Sequence, residues 1–433
     1  MIDSQQSAVP PSPPAAAPTP APALPKVSAR YIWLMALAQF GVFLAFITPL
    51  GISLSVKVAQ LAPGHEEYLG YITGAGAGTV LLFGPLLGVL SDRTRSKLGR
   101  RRPFMIGGML LGVVSLVVMA TAPSVFVLGF GWVLAQLGWG QVLGALTNSQ
   151  ADRLPEEQRG KVAGLVGFAT LIAPVGGVVL ASQFVGDALL LFLVPGSVGV
   201  VLVTLFVCLI HEQDSRTLPH GAPLTARSLA AKYTFKPRRY PDYSWNWLSR
   251  FLFYFGLTLN TTFVAFFLAA RLGVSVAEVA GTVAALAGLG VLATSAGALG
   301  GGFLSDKLRR RRVFVLVAGA VFALGAVVMA FASSVPLLFA GSLTTSVGLG
   351  MFSAVDQALA LDVLPERETE AGRFMGIMGF ATSIPQSVAP LIAPVFLTIG
   401  ATATGKNYTL LFIVAAACTV LSGLAVQRVK SVR

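Results

Sequence analysis

Apolar positions in this chain fall in long blocks rather than in alternation. Between charged or turn-forming breaks, the blocks lie near 31–56, 67–90, 103–122, 125–149, 161–184 and 188–210. A second set lies near 244–270, 277–304, 313–332, 335–361, 373–398 and 407–427. Each is long enough, as a helix, to cross a hydrocarbon layer of about 30 Å. A backbone in lipid must also satisfy its own hydrogen bonds, which a helix does unaided. The pattern predicts an all-α integral membrane protein of about twelve spans, with very tight turns at Ala122–Ser124 and Ser333–Pro336.

Composition agrees, with 55% hydrophobic and 11% charged residues, against roughly 25% charged in soluble domains. The charge that remains is placed unevenly. Of 31 Lys and Arg residues, 27 fall on the amino-terminal side of the predicted membrane. Lys57, Arg271 and Lys406 fall on the other, and Arg250 lies inside the seventh span. This bias predicts that both termini are cytoplasmic. It also accounts for the net charge of +13 without a nucleic-acid partner. The expected partners are a lipid bilayer and a small-molecule substrate, with the monomer as the functional unit, most naturally in the plasma membrane.

Residues 1–30, rich in Pro, Ala and Ser, read as a disordered cytoplasmic tail without the basic and apolar regions of a signal peptide. The segment 211–243, the longest polar stretch, separates a six-helix bundle over 31–210 from another over 244–427; a short tail, 428–433, follows. Cys208 and Cys418 sit inside apolar runs, and His65, His211 and His220 in loops without paired ligands. No metal site, no cofactor and no catalytic constellation is expected.

The two bundles are related. Gly88-Val89-Leu90-Ser91-Asp92-Arg93 matches Gly302-Phe303-Leu304-Ser305-Asp306-Lys307. Asp152-Arg153-Leu154-Pro155-Glu156 matches Asp362-Val363-Leu364-Pro365-Glu366, and Gly164–Thr170 matches Gly376–Thr382. The offsets run from 210 to 214 residues. Six spans lie between partners, so the halves share one membrane orientation, and a substrate path belongs at their interface.

The element Gly88…Asp92-Arg93…Gly99-Arg100-Arg101 resembles the signature loop of the major facilitator superfamily, and the layout follows that family over about residues 30 to 430. The longer run Ser91–Phe104 looks like the loop of sugar–cation symporters and sucrose-type transporters. The resemblance implies two pseudo-symmetric six-helix bundles and transport by alternating access. It also implies a gate at the loops, with Asp92, Arg93, Arg100, Arg101 and Asp306 holding the cytoplasmic ends together when the protein opens outward; enforcing topology is the competing role for the arginines. Some members hold a coupling cation on acidic residues of the second span, but 68–90 contains no Asp or Glu. That departs from sodium coupling and leaves a proton gradient as the expected energy source.

Ionisable groups within spans are costly unless paired or wetted. Asp356 in the tenth span and Arg250 in the seventh fall at comparable depths and are expected to form an ion pair, either for coupling or as a static tie between helices. Amides and an aromatic, Gln136, Trp139, Gln141 and Asn148 with Gln150 on the fourth span, suit a polyhydroxylated ligand. Gln39, Asn260, Gln357 and Gln386, with Thr261 and Thr262, extend the set; polar packing between helices explains each equally well. Pro174-Val175-Gly176-Gly177 faintly resembles the proline–glycine element of drug–proton antiporters. The favoured function is proton-coupled symport of a sugar or glycoside. The alternatives are efflux of hydrophobic or amphipathic compounds and a non-transporting membrane sensor; an enzyme is not expected.

Overall fold

The structure, a computed structural model, describes residues 25–216, 234–366, 370–401 and 405–432. Most of the expected amino-terminal tail and the centre of the linker lie outside the described residues, as does His220. Among the described residues, eleven helices are long and apolar enough to cross a membrane, and a bent pair makes the twelfth. They are α1 (Ala29–Leu61), α2 (Glu67–Arg93), α3 (Arg102–Ala120), α4 (Val125–Arg153), α5 (Glu156–Ser182) and α6 (Ala188–Leu209). The second half has α7 (Pro241–Thr262 and Val264–Leu272), α8 (Ala280–Leu308), α9 (Arg311–Phe331), α10 (Val335–Asp362), α11 (Ala371–Thr398) and α12 (Tyr408–Val426).

Local chemistry sets the breaks. Ser124 caps α4 by accepting from the Val127 amide, which separates α3 from α4 with a turn of four residues. Asp187 caps α6 through the Leu189 and Leu190 amides, and Asn407 caps α12. Such caps satisfy amide donors that the first turn of a helix leaves open.

Both α1 and α7 break at matching positions. In α1 a π-helical turn spans Pro49–Ser53, just after Thr48 donates its hydroxyl to the Leu44 carbonyl at 2.5 Å. In α7 Thr262 donates to the Thr258 carbonyl at 2.7 Å, and the helix bends by 46° at Phe263. Proline lacks the amide that a regular helix needs, and hydroxyls bonded back along the helix favour bending.

The packing is duplicated too. In the first half α1 meets α5 and α6, α3 meets α4 and α6, and α2 meets α4; in the second half α7, α9 and α8 repeat these contacts with α11, α12 and α10. The halves touch through α2 against α11 and α5 against α8, which are symmetry equivalents. Glycine allows the closest approaches: the Gly138 backbone lies on Gly108 and Gly112 of α3, and Gly348 lies on Phe322 of α9.

One face carries both termini and the basic loops; the other is the far face. Toward the far face the seam is tight. A side chain at Gly70 would overlap the Pro390 carbonyl of α11, and one at Gly74 would come within 2.6 Å of Leu391. The Ser387 hydroxyl donates to the Gly74 carbonyl at 3.2 Å. Toward the terminal face the same helices part. Gly88 of α2, Gly160, Gly164 and Gly167 of α5, and Gly372, Gly376 and Gly379 of α11 have open space where a Cβ would stand. The molecule is closed at the far face and splayed at the terminal one.

Candidate functional site

Between the halves lies a cavity of about 1000 Å³. The broken segments of α1 and α7 both border it, through Phe46, Leu50 and Gly51 on one side and Asn260, Thr261 and Thr262 on the other. Among its described lining residues none is charged. Phe46 and Trp132 stack with ring centroids 5.8 Å apart, giving the first half an aromatic wall.

The polar groups that the second half offers are hydroxyls and amides, Thr258, Asn260, Ser342, Thr345, Ser346 and Gln386 among them, set in an otherwise apolar lining. Most of the hydroxyls donate to carbonyls of their own helix, as Thr258 does to Tyr254, Thr345 to Ser342 and Ser346 to Ser342. Their lone pairs remain available to a ligand. Asn260 is 5% exposed and its Nδ2 has no hydrogen-bond partner among the described residues, a buried donor ready for an acceptor.

The Arg250–Asp356 pair is present. Arg250 Nε donates to Asp356 Oδ2 at 2.6 Å, and its Nη2 reaches Gln357 Oε1 at 3.3 Å. Asp356 is 2% exposed, and its Oδ1 has no hydrogen-bond partner among the described residues. The pair does not line the cavity. It lies one turn toward the terminal face from Phe253 and Phe352, whose rings stack 3.6 Å apart. Phe322, which does line the cavity, packs edge-on against Phe253 at 5.3 Å. An aromatic layer therefore joins pair and cavity.

The repeated loops form two matching clusters. Arg101 Nη2 meets Asp92 at 2.7 Å and its Nε meets Asp152 at 3.0 Å, while Arg100 holds the other oxygen of Asp152 at 2.6 Å. In the second half Arg311 joins Asp306 at 3.2 Å and Asp362 at 2.5 Å. The two separate sequence matches thus meet as one Asp–Arg–Asp cluster per half. The expected latch between halves is not formed by these pairs here, because the terminal ends stand apart and each cluster closes on itself. Arg93 ends the last turn of α2.

The amides divide. Gln136 and Asn148 line the cavity and also a side pocket of about 270 Å³ between α2 and α4, where Gln141 sits. Asn260 and Gln386 line the cavity; Gln357 serves Arg250. Two placements differ from the expectation. Trp139 is fully buried against Gly112 of α3, and Gln39 is buried within the first half and absent from the cavity wall. The sequence reading missed Trp132 and Phe46. Trp132 lies one helical turn before Gln136 and Trp139 about one turn after it, so their spacing from that amide does not separate them.

The profile of the Major Facilitator Superfamily matches residues 31–293 and 246–431. The crystal structure of the nucleoside transporter NupG superposes with a TM-score of 0.74 at 11% identity, covering 92% of this chain and 98% of that one. A bacterial homologue of the human lysosomal transporter Spinster, inward-facing and unoccupied, gives 0.68 at 17% identity, covering 93% and 99%. In sequence, 102 residues are 35% identical to a general alpha-glucoside permease of Schizosaccharomyces pombe, over 24% of this chain and 18% of that protein. A stretch of 47 residues is 51% identical to an uncharacterized symporter of Synechocystis, over 9% of each. The matches span less than a fifth of either relative's length.

Proposed function

Because the chain belongs to the Major Facilitator Superfamily, we propose that this transporter moves a small neutral solute by alternating access, with sugar or glycoside symport driven by protons as the favoured form. The uncharged cavity carries this reading. A fixed ionic solute would enter a site with no counter-charge, at a cost of several kcal/mol. A polyhydroxylated ring instead meets the amides and lone pairs of α7, α10 and α11, and can lay its apolar face on Phe46, which Trp132 backs. The partial likeness to an alpha-glucoside permease points the same way.

Orientation follows the basic loops: the terminal face is cytoplasmic in this proposal, the conformation is open to the cytoplasm, and the membrane is the plasma membrane. The protein works as a monomer. Coupling runs through Asp356. A proton on its carboxylate releases Arg250, loosens α7 against α10, and is felt at Phe322 through the aromatic layer. In the opposite conformation the terminal ends meet, and Asp92, Arg93, Arg100, Arg101 and Asp306 become available for the gate.

A second reading is proton-coupled efflux of amphipathic compounds, favoured by the apolar share of the lining, including Ile47, Leu50, Leu257, Val283 and Leu286. One experiment separates them. Purified protein in proteoliposomes is challenged with sugars, glycosides and amphipathic compounds while proton flux is recorded, beside an Asp356→Asn variant. Flux evoked by sugars or glycosides and lost in the variant supports symport. Flux evoked by amphipathic compounds alone replaces it with efflux, and solute movement unchanged in the variant removes Asp356 from coupling.

A further inference from the structure

The far face holds three basic residues, and two are committed within their own halves. Lys57 Nζ donates to the Ala120 carbonyl at 3.0 Å, and Arg271 donates to the Ala330 carbonyl at 2.5 Å and to Thr409. Lys406, just before α12, crosses the seam to Glu67 Oε2 at 3.1 Å. The other oxygen of Glu67 is taken by His65 Nδ1 at 2.9 Å. Glu66, the neighbouring carboxylate, receives only a neutral partner from the opposite half, the hydroxyl of Tyr408. Two adjacent carboxylates thus close against one lysine. The other acidic groups toward this face are engaged elsewhere: Asp187 caps α6 and Glu278 binds Ser275.

We propose that the far seam closes with uptake of one proton at Glu66 and loosens when that proton is lost. The contacts that bury Glu66 exist only while α2 and the start of α12 are together, so its environment changes with the gate itself. Burial pushes its carboxyl up to about 7, with Glu67 adding to the rise and Lys406 opposing it. With the seam parted, the carboxyl returns toward 4.5. A group whose affinity for protons is higher in the closed form favours closure below about pH 7, and that advantage is lost as pH rises through 7. Between these limits the closed-to-open ratio changes by up to about tenfold per pH unit.

This device goes beyond the transport reading and does not depend on which solute is carried. It acts from the far side, away from Asp356, and sets how readily the empty carrier presents its outer opening.

The test uses the full chain in nanodiscs, with Cys208 and Cys418 replaced by Ser and spin labels at Thr121→Cys and Ser333→Cys, which are exposed at the far ends of the two halves. Distances are measured from pH 5.5 to 8.5 without solute. The expected result is a single short distance in acid and a longer population that grows several-fold toward pH 8.5, with a midpoint near 7. Glu66→Gln should stay short throughout. Tyr408→Phe, which removes a donor to the ionised carboxylate, should keep the response and move its midpoint upward; His65→Ala should leave the response in place. A distribution unchanged by pH overturns the proposal. So does a pH response that survives in Glu66→Gln, or one that vanishes in His65→Ala.

Discussion

The two halves share a scaffold and differ in chemistry. Both carry an Asp–Arg–Asp cluster at the terminal face, both break their first helix after a threonine, and both repeat the same helix contacts. Yet Arg250 and Asp356 correspond, at offsets of 214 and 210 residues, to Ala36 and Leu146. Asn260 corresponds likewise to Phe46. The second half therefore holds the ion pair within its spans and an amide where α1 has Phe46, while the first half adds the aromatic wall with Gln136 and Asn148. Duplicated residues build the frame shared by the halves, and residues that differ between them line the cavity.

Writing the first half into the second gives the largest expected effect. Arg250→Ala leaves Asp356 buried and unpaired and should destabilise the protein by about 3–5 kcal/mol. The double variant Arg250→Ala/Asp356→Leu should regain most of that in thermal unfolding, yet fail to couple proton flux to solute. Coupled flux in the stable double variant would place the proton site elsewhere.

The two ends of α2 give the next contrast. Gly70→Leu collides with α11 only in the far-closed form, so overpacking of about 1–3 kcal/mol should shift the population roughly 5- to 150-fold toward far-open, read by the same spin-label distances. Gly88→Leu meets nothing in this conformation and should shift it the other way.

Asn260→Ala, aimed at the amide that has no counterpart in α1, should raise KM about tenfold, in line with one hydrogen bond of ~1–1.5 kcal/mol. Its pH profile should stay where it is; a displaced profile would tie Asn260 to the proton rather than the solute.

The smallest effect tests the duplicated clusters. Asp152→Ala and Asp362→Ala should each cost no more than about 1 kcal/mol, as partly exposed ion pairs do. The first should cost more, because the side chain of Arg101 is 5% exposed and that of Arg311 25%. Equal losses in denaturation would mean that burial does not separate them.

The spans, the repeat and the Arg250–Asp356 contact were legible because each stands against a background: apolar length against charged loops, matched motifs at a fixed offset, and two ions in otherwise apolar helices. The cavity wall was less so. Trp132 and Trp139 lie seven residues apart on one helix, and no spacing rule distinguishes them; Gly76 of α2 receives one indole and Gly112 of α3 the other. Serines and threonines that bond to their own helix look alike in sequence whether they face a cavity or a neighbour.

The ionised Arg250–Asp356 pair carries no net charge, and the wall of the cavity carries none. In the proposed alternating access, an empty carrier of this build resets without moving fixed charge through the electric field. In the proposed coupling, a proton on Asp356 leaves the guanidinium charge uncompensated, so the membrane voltage would act on the loaded step, at about 2.3 kcal/mol per 100 mV for a charge crossing the whole field. Under that proposal the voltage would drive the coupled direction and leave the return unloaded.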